Sequence, residues 1–265
     1  MNRAAAKRAS WDYLLKLNPD VALLQEFSGI PPAVHERFQI RQERPITKSN
    51  GQQKFLNAIL VRGSLIRELP LHASKSWAQT EVARFESNLF AHQITLADGT
   101  NCNVLCVYSP AWPIAPERLH GEDTHGIQLT QNKLVWVTDL LWDALKLILA
   151  STSGPWIVAG DCNSSETFDM QRAKPRGNRE FLDRMQSIGL TECLRHQSGT
   201  LVPTYKSVRG GLNHQIDHLW VTSDLASRLT SCVTGTVQDV FEQPKRLSDH
   251  LPIIAEFGSL NQMSV

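Results

Sequence analysis

Four groups of acid, amide and histidine residues stand at the ends of apolar runs in this sequence. Val21-Ala22-Leu23-Leu24 leads into Gln25-Glu26, and Trp156-Ile157-Val158-Ala159 leads into Gly160-Asp161-Cys162-Asn163. Gln215-Ile216-Asp217-His218 opens a later run, and Leu247-Ser248-Asp249-His250 precedes the last one. Strand ends in a packed sheet converge on one rim, where sites commonly form. Each group alone has an ordinary reading as a solvated turn, a helix cap or a hydrogen-bonded core pair. Together they offer several acids, an amide and an Asp-His pair, which suits hydrolysis of a phosphate ester. Hard oxygen donors such as Glu26 and Asp249 match Mg²⁺ or Mn²⁺ rather than zinc. A carboxylate such as Asp161 can orient or deprotonate an attacking water. An imidazole held by a second carboxylate, as Asp217 would hold His250, can stabilise a developing oxyanion.

Groups so far apart in the chain need rigid elements to bring them together. Trp11, Leu14 and Leu15 recur at helical spacing, predicting a helix over 3–17 that Asn18-Pro19 terminates. The run 21–24 reads as a strand buried on both faces. Further strands are predicted over 55–61, 85–96, 103–108, 156–159, 218–222, 233–240 and 253–257. Helical periodicity recurs over 132–150, through Leu134, Val137, Leu141, Leu145 and Leu149, and over 179–188, through Phe181, Leu182 and Met185. This order mixes β–α crossovers with direct strand connections, predicting an α/β fold of two mixed sheets packed face to face with helices outside. The long loop 109–131, rich in Pro, Gly and His, reads as functional or mobile. A second loop, 168–178, is basic.

Composition narrows the class. The 265 residues are 42% hydrophobic, enough for a large core in one or two domains. Lys and Arg number 27 against 26 Asp and Glu, which excludes a charged disordered chain or a strongly basic arm. A local basic patch for nucleic acid remains compatible with that balance. No apolar run reaches the roughly 18 residues of a membrane span, and Trp11-Asp12-Tyr13 stands where a secretion signal would need an apolar stretch. Five cysteines, an odd number without tight pair spacing, read as free thiols in a reducing cytoplasm; Cys102 and Cys106 fall on one strand face as buried thiols.

Asn18-Pro-Asp-Val-Ala-Leu-Leu-Gln-Glu26, Phe55-Leu-Asn57-Ala-Ile-Leu-Val61, Val107-Tyr-Ser-Pro110, Gly160-Asp-Cys-Asn163, Gln215-Ile-Asp217 and Ser248-Asp-His250 resemble, in this order, the endonuclease/exonuclease/phosphatase family. That family includes deoxyribonuclease I, exonuclease III and the apurinic endonucleases. The resemblance spans most of the chain and implies one domain over 1–265, a four-layer α/β sandwich with a loose tail at 259–265. It implies divalent-metal hydrolysis with Glu26 as main metal ligand and Asp249 as a further ligand. Asp161 would position the nucleophilic water, Asn163 would hold a phosphate oxygen, and Asp217 with His250 would form the dyad on the phosphate. Tyr108 falls where members carry a Tyr or His near the scissile phosphate; its other reading is a half-buried aromatic at a strand end. Asn57, for scaffold hydrogen bonding, and Arg62 and Arg176, for phosphate contact, are softer candidates for substrate binding.

Members begin with a strand ending in Trp-Asn-x-Asp/Asn, whereas this sequence opens Met1-Asn2-Arg3 and enters a helix directly. The expectation is a first strand that is missing, with Asn2 as the last letter of its motif. Arg179-Glu180-Phe181-Leu182 and Pro203-Thr204-Tyr205 resemble stretches of exonuclease III-like members. The expected activity is an endo- or exonuclease acting on nucleic-acid phosphodiesters, DNA ahead of RNA, with Lys174, Arg176, Arg179, Lys206 and Arg209 available for backbone phosphates. The alternatives are a phosphoesterase for a small phosphorylated substrate, or a catalytically weakened binding protein that kept the fold. Trp112, His120 and His125 in the long loop are read as structural or surface residues, with base stacking as the other role. No membrane or protein partner is implied, and a cytoplasmic monomer is expected.

Overall fold

Pro19 stops the first helix, and the apolar residues behind it have only the sheet to enter. A computed structural model describes residues 8–171, 176–207, 211–243 and 246–258; Asn2, Lys174, Arg209 and the expected tail lie outside them. The first half of the chain runs α1 (Arg8–Leu17), β1 (Val21–Phe27), α2 (Pro32–His35), β2 (Gln39–Glu43), β3 (Leu56–Val61), β4 (Gly63–Leu69), α3 (Ser76–Arg84), β5 (Leu89–Leu96) and β6 (Asn101–Tyr108). A 3-10 turn (Pro116–Leu119) and α4 (Val137–Ser151) follow, then β7 (Trp156–Asp161), α5 (Glu166–Met170), α6 (Asn178–Ser187), β8 (Leu190–Glu192) and α7 (Cys193–Ser198). The chain continues through β9 (Tyr205–Ser207), β10 (Gly211–His214), β11 (Asp217–Thr222), α8 (Ser223–Ala226), β12 (Leu229–Thr234), α9 (Val237–Val240) and β13 (Ile253–Phe257).

Six strands form a mixed sheet in the order β4-β5-β6-β7-β11-β8, with β6 and β7 parallel. On one face Leu105, Val107, Trp156, Val158 and Trp220 pack under Leu140, Leu141, Ala144 and Phe181 of α4 and α6. The other face meets a second sheet layer made of two pieces, β1-β3-β2 and β12-β13. Ile59 and Val61 of β3 lie on Ile94, Val104 and Cys106 there, so both Cys102 and Cys106 are buried on one strand face as expected. Outside the second layer, Trp11 and Leu14 of α1 cover Ala22 and Phe27. Helices, two sheets and helix thus make the expected four layers.

Two predicted strands are shorter than their apolar patterns. Residues 85–88 form the turn that leaves α3, where the Phe85 amide bonds to the carbonyls of Glu81 and Val82. Residues 237–240 form α9, because Thr236 caps it by accepting from the Asp239 amide. The long loop 109–131 is pinned rather than loose. Lys75 pairs with Asp123, Arg118 with Glu81, and Ile114, Ile127 and Leu129 are buried. Trp112 packs on Phe85 at 5.8 Å, a structural contact, while His120 and His125 are exposed.

Gly160 is required by this packing. Its φ of +146° disfavours any side chain, and a Cβ would lie 1.9 Å from the Val107 carbonyl oxygen across the parallel pair. Gly160→Ala is expected to cost about 3 kcal/mol or more, read as a fall in thermal midpoint; an unchanged midpoint would refute the close approach. His218 is fully buried, stacked on Trp220 at 4.7 Å, with Nε2 on the Ser164 carbonyl at 2.9 Å. Burial holds its pKa below the usual 6.5, outweighing the pull of Glu192 and Asp217. A base depressed in the folded state takes up its proton on unfolding, so this contribution is complete above about pH 6.5 and drains as pH falls. Denaturant unfolding at pH 7.5 and 5.5 is expected to show a steeper loss for the parent than for His218→Phe, and parallel losses would contradict this.

Candidate active site

Three adjacent strands of the six-stranded sheet end at one level. Tyr108 is in register with Asp161 across the parallel β6–β7 pair, and Asp161 is in register with Asp217 across the antiparallel β7–β11 pair. Residues opposite one another across neighbouring strands have adjacent side chains on one face, so this register alone brings together groups that the chain separates widely. From the second layer, the end of β1 supplies Glu26, and the segment before β13 supplies Asp249 and His250. Glu26, Asp161, Asp217, Asp249 and His250 all border one cavity of about 770 Å³.

Glu26 sits at φ +54°, where the β1–β3 register slips between Leu24 and Phe27. Left-handed backbone at a non-glycine residue is strained, and such strain gathers at functional sites. The Glu26 amide bonds to Asn57 Oδ1 at 3.4 Å, and Tyr108 Oη donates to its Oε1 at 2.9 Å. Asn57 is fully buried, with its own amide on the Ser87 carbonyl. Its contacts are therefore with the backbone beneath Glu26 and before β5. Tyr108 is also buried, edge-on to Phe55 at 5.4 Å, and its hydroxyl meets Glu26.

Asn163 is the second left-handed residue of the cleft, at φ +46°. Its backbone N–H donates to Asp161 Oδ1 at 2.8 Å, and its side-chain N–H groups donate to Asp161 Oδ2 and the Ser109 carbonyl. It therefore grips the aspartate rather than projecting both donors outward. Asp217 Oδ2 receives the His250 Nδ1 at 2.7 Å and the Thr204 hydroxyl at 2.7 Å. Tyr205 leans on the His250 ring at 5.0 Å. Thr204 was not singled out for a role by sequence because nothing local marks it; only the fold brings it to Asp217. Its backbone also ties the site together: its N–H donates to the His214 carbonyl, and its carbonyl accepts from the Leu251 N–H.

Burial and mutual repulsion set the charges. The Asp161 carboxyl is pushed up, first by burial and then by the negative charge of Asp217, with Glu26 adding to it. Asp217 is held low: burial opposes ionisation, but the His250 charge and the hydrogen bonds from His250 and Thr204 prevail. Burial also works against the His250 imidazolium, yet Asp217 raises it to about 9. The Tyr205 phenol is raised by its burial and by Asp249, Asp161 and Glu26, so these acids act on one region. Among the described residues no three Asp, Glu, His or Cys side chains already converge as a ligand cluster. The donors nevertheless fit a hard cation that keeps part of its water shell and takes one or two carboxylates. They are all oxygen, and their excess negative charge is costly to bury.

Arg62 and Arg176 are not brought to this cleft. Arg62 follows β3 at the end opposite Asn57 and bonds to Asp20 and Asn18, which close the turn into β1. Arg176 is exposed before α6, its backbone N–H on Asp169 Oδ1. Arg179 pairs with Asp183 and Glu166. Lys206 and Arg246 place their side chains over the Phe241 ring. Lys206 N–H bonds the Asp249 carbonyl, and Arg246 Nε bonds the Ser248 carbonyl.

A four-layer sandwich with an acid-rich cleft and an Asp–His pair at its sheet ends defines a phosphoester hydrolase. The model of the endonuclease/exonuclease/phosphatase family matches residues 2–250, and the chain belongs to that family. Family members are generally dependent on a divalent metal. Among solved structures the chain is similar to an AP endonuclease from Archaeoglobus fulgidus, at 17% identity and TM-score 0.66 over 96% of each chain. It is also similar to the 3' phosphatase NExo from Neisseria bound to product DNA hairpin, at 17% identity and TM-score 0.62 over 97% of each chain. A third likeness is the APE2 catalytic domain of Xenopus laevis, at 17% identity and TM-score 0.60, covering 95% of this chain and 88% of that one. No curated protein sequence matches the chain.

The Thr204 hydroxyl gives the site a test that leaves every acid in place. One hydrogen bond to a charged group is worth about 1.5 kcal/mol, roughly tenfold in rate. Thr204→Val is expected to lower kcat about tenfold at nearly constant KM, with Thr204→Ser restoring it. Steady-state kinetics on a phosphodiester would expose a purely structural role if both variants lost stability and activity together.

Proposed function

We propose that this chain is a divalent-metal-dependent phosphodiesterase that cleaves nucleic-acid backbones, DNA ahead of RNA, by in-line attack of water. The observation that carries this reading is the register that sets Asp161 beside Asp217, with His250 paired to Asp217 and Glu26 facing them across the cleft. Glu26 and Asp249 would hold Mg²⁺ or Mn²⁺, Glu26 steadied by Tyr108 and Asn57. Held by these carboxylates, such an ion would supply positive charge for the phosphoryl and leaving oxygens.

The protein's own groups divide the remaining work. Asp161, raised by burial, is a better proton acceptor than an ordinary aspartate and takes the proton of the attacking water. Asn163 fixes both of its oxygens. His250 spends Nδ1 on Asp217, leaving Nε2 to donate to a non-bridging phosphate oxygen as charge develops there. Lys206 and Arg246, whose segments bond the Asp249 and Ser248 carbonyls, would supply positive charge for flanking phosphates. DNA as substrate draws support from the Archaeoglobus and Neisseria structures, an AP endonuclease and a DNA-bound 3' phosphatase. No helix among the described residues is long and apolar enough to cross a membrane. The five free, buried thiols favour a reducing compartment, and we place the protein in the cytoplasm as a monomer.

Hydrolysis of bis(p-nitrophenyl) phosphate with and without Mg²⁺ tests the chemistry. Asp161→Ala and His250→Ala are each expected to cut kcat by about 10²–10⁴-fold, and chelation is expected to abolish turnover. Activity indifferent to metal and to both substitutions would favour a binding protein that kept the fold. Plasmid, abasic duplex, 3'-phosphorylated DNA, RNA and inositol phosphates would then rank the substrates, and preference for an inositol phosphate would overturn the nucleic-acid assignment.

A further inference from the structure

Tyr108 reaches Glu26 from the last residue of β6, one rung past the point where β5 begins. Leu89, the first residue of β5, pairs with Val107, so Tyr108 lies opposite the turn 85–88 rather than opposite a strand. Two residues facing each other as a hydrogen-bonded antiparallel pair exchange two bonds, N–H to carbonyl in each direction. The Asn88 backbone makes one of them: its carbonyl accepts from the Tyr108 N–H at 2.9 Å. It does not make the other, because its own N–H donates to the Phe85 carbonyl within the turn. The side chain supplies what the backbone lacks, and Asn88 Nδ2 donates to the Tyr108 carbonyl at 3.1 Å. A side-chain amide thus stands in for a backbone donor and extends the ladder by the one residue that carries the phenol.

Asn88 is fully buried, and its Oδ1 accepts from the Ile46 N–H at 3.2 Å, in the loop between β2 and β3. Flipping the amide would exchange donor and acceptor and break both contacts, so its orientation is fixed. These bonds go to backbone groups, and the side chain acts on Glu26 by way of Tyr108, whose hydroxyl donates to Glu26 Oε1. The preceding residue acts on the same acid by a second route. The Ser87 carbonyl accepts from Asn57 Nδ2 at 3.5 Å, and Asn57 Oδ1 accepts from the Glu26 N–H. One turn outside the cleft therefore bears on both the backbone and the carboxylate of Glu26. We propose that Asn88 is a positioning residue for the metal-binding acid: its side chain completes the β5–β6 ladder at Tyr108 and so sets the Tyr108 hydroxyl on Glu26. This inference rests on the reading of Glu26 as a metal ligand.

Asn88→Asp keeps the shape and the acceptor for Ile46, but its carboxylate cannot donate to Tyr108. Tyr108→Phe removes the hydroxyl at the far end of the same link. On bis(p-nitrophenyl) phosphate, Asn88→Asp is expected to lower kcat about tenfold or more and to raise the Mg²⁺ concentration needed for half-maximal rate, with KM for the diester nearly unchanged. In a Tyr108→Phe background the same substitution is expected to cost less than about twofold, because the link is already cut. Asn88→Ala, which adds no charge, is expected to show the same non-additivity. Full losses that add in both backgrounds would make Asn88 a turn residue only and overturn the proposal. Amide exchange gives a readout that needs no turnover. In Asn88→Asp, exchange at Glu26 is expected to quicken about tenfold relative to Trp220 and Val221 in β11. Equal acceleration at all three amides, the mark of global destabilisation, overturns the proposal. Absence of Mg²⁺-dependent turnover in the parent would defeat the phosphodiesterase reading instead, and the exchange comparison would still decide whether Asn88 holds Glu26.

Discussion

Like charges held close together with little water around them govern this site. Asp161 and Asp217 stand side by side on neighbouring strands, with Glu26 near enough to act on the first. At reduced dielectric such repulsion amounts to several kcal/mol, and the fold resolves it by giving the two aspartates different partners. Asp217 receives a cationic imidazole and a hydroxyl, whereas Asp161 receives the amide groups of Asn163. One acid stays ionised and the other becomes basic, so two identical side chains acquire distinct roles from their surroundings.

Backbone strain is concentrated where the carboxylates are aimed. Glu26 and Asn163 adopt left-handed conformations on opposite walls of the cleft, and each is fixed by hydrogen bonds made on that side. The residues doing the fixing, Asn57, Tyr108 and Ser109, are buried. The rim is therefore rigid from beneath, and substrate meets groups whose directions are set before it arrives.

Much of this arrangement was legible in the sequence because chemistry and burial leave a shared mark: an ionisable residue at the edge of an apolar run. Glu26, Asp161, Asp217 and His250 each carried that mark. Arg62 shows where it fails, since a basic residue just past a strand says nothing about which end of the sheet faces the cleft; antiparallel pairing sends it to Asp20. Thr204 was silent for the opposite reason, its role existing only through a partner 13 residues away. The apolar stretch 233–240 misled because alternation cannot reveal that Thr236 will cap a short helix. The pairing of β1 with β3 was equally hidden, for strand order is a property of the whole packing rather than of any segment.

All five cysteines are buried, and burial pushes the Cys102 and Cys106 thiols up to about 12. Cys106 lies directly behind the acidic wall, its sulfur receiving Gln25 Nε2 at 3.4 Å. Thiolate, the form that alkylating reagents attack, is then scarce in the native protein and abundant once the strands separate. Labelling rates at these sulfurs become an intrinsic gauge of how often the sheet interior opens, with no engineered probe, and Cys106 reports on the stretch that carries the chemistry.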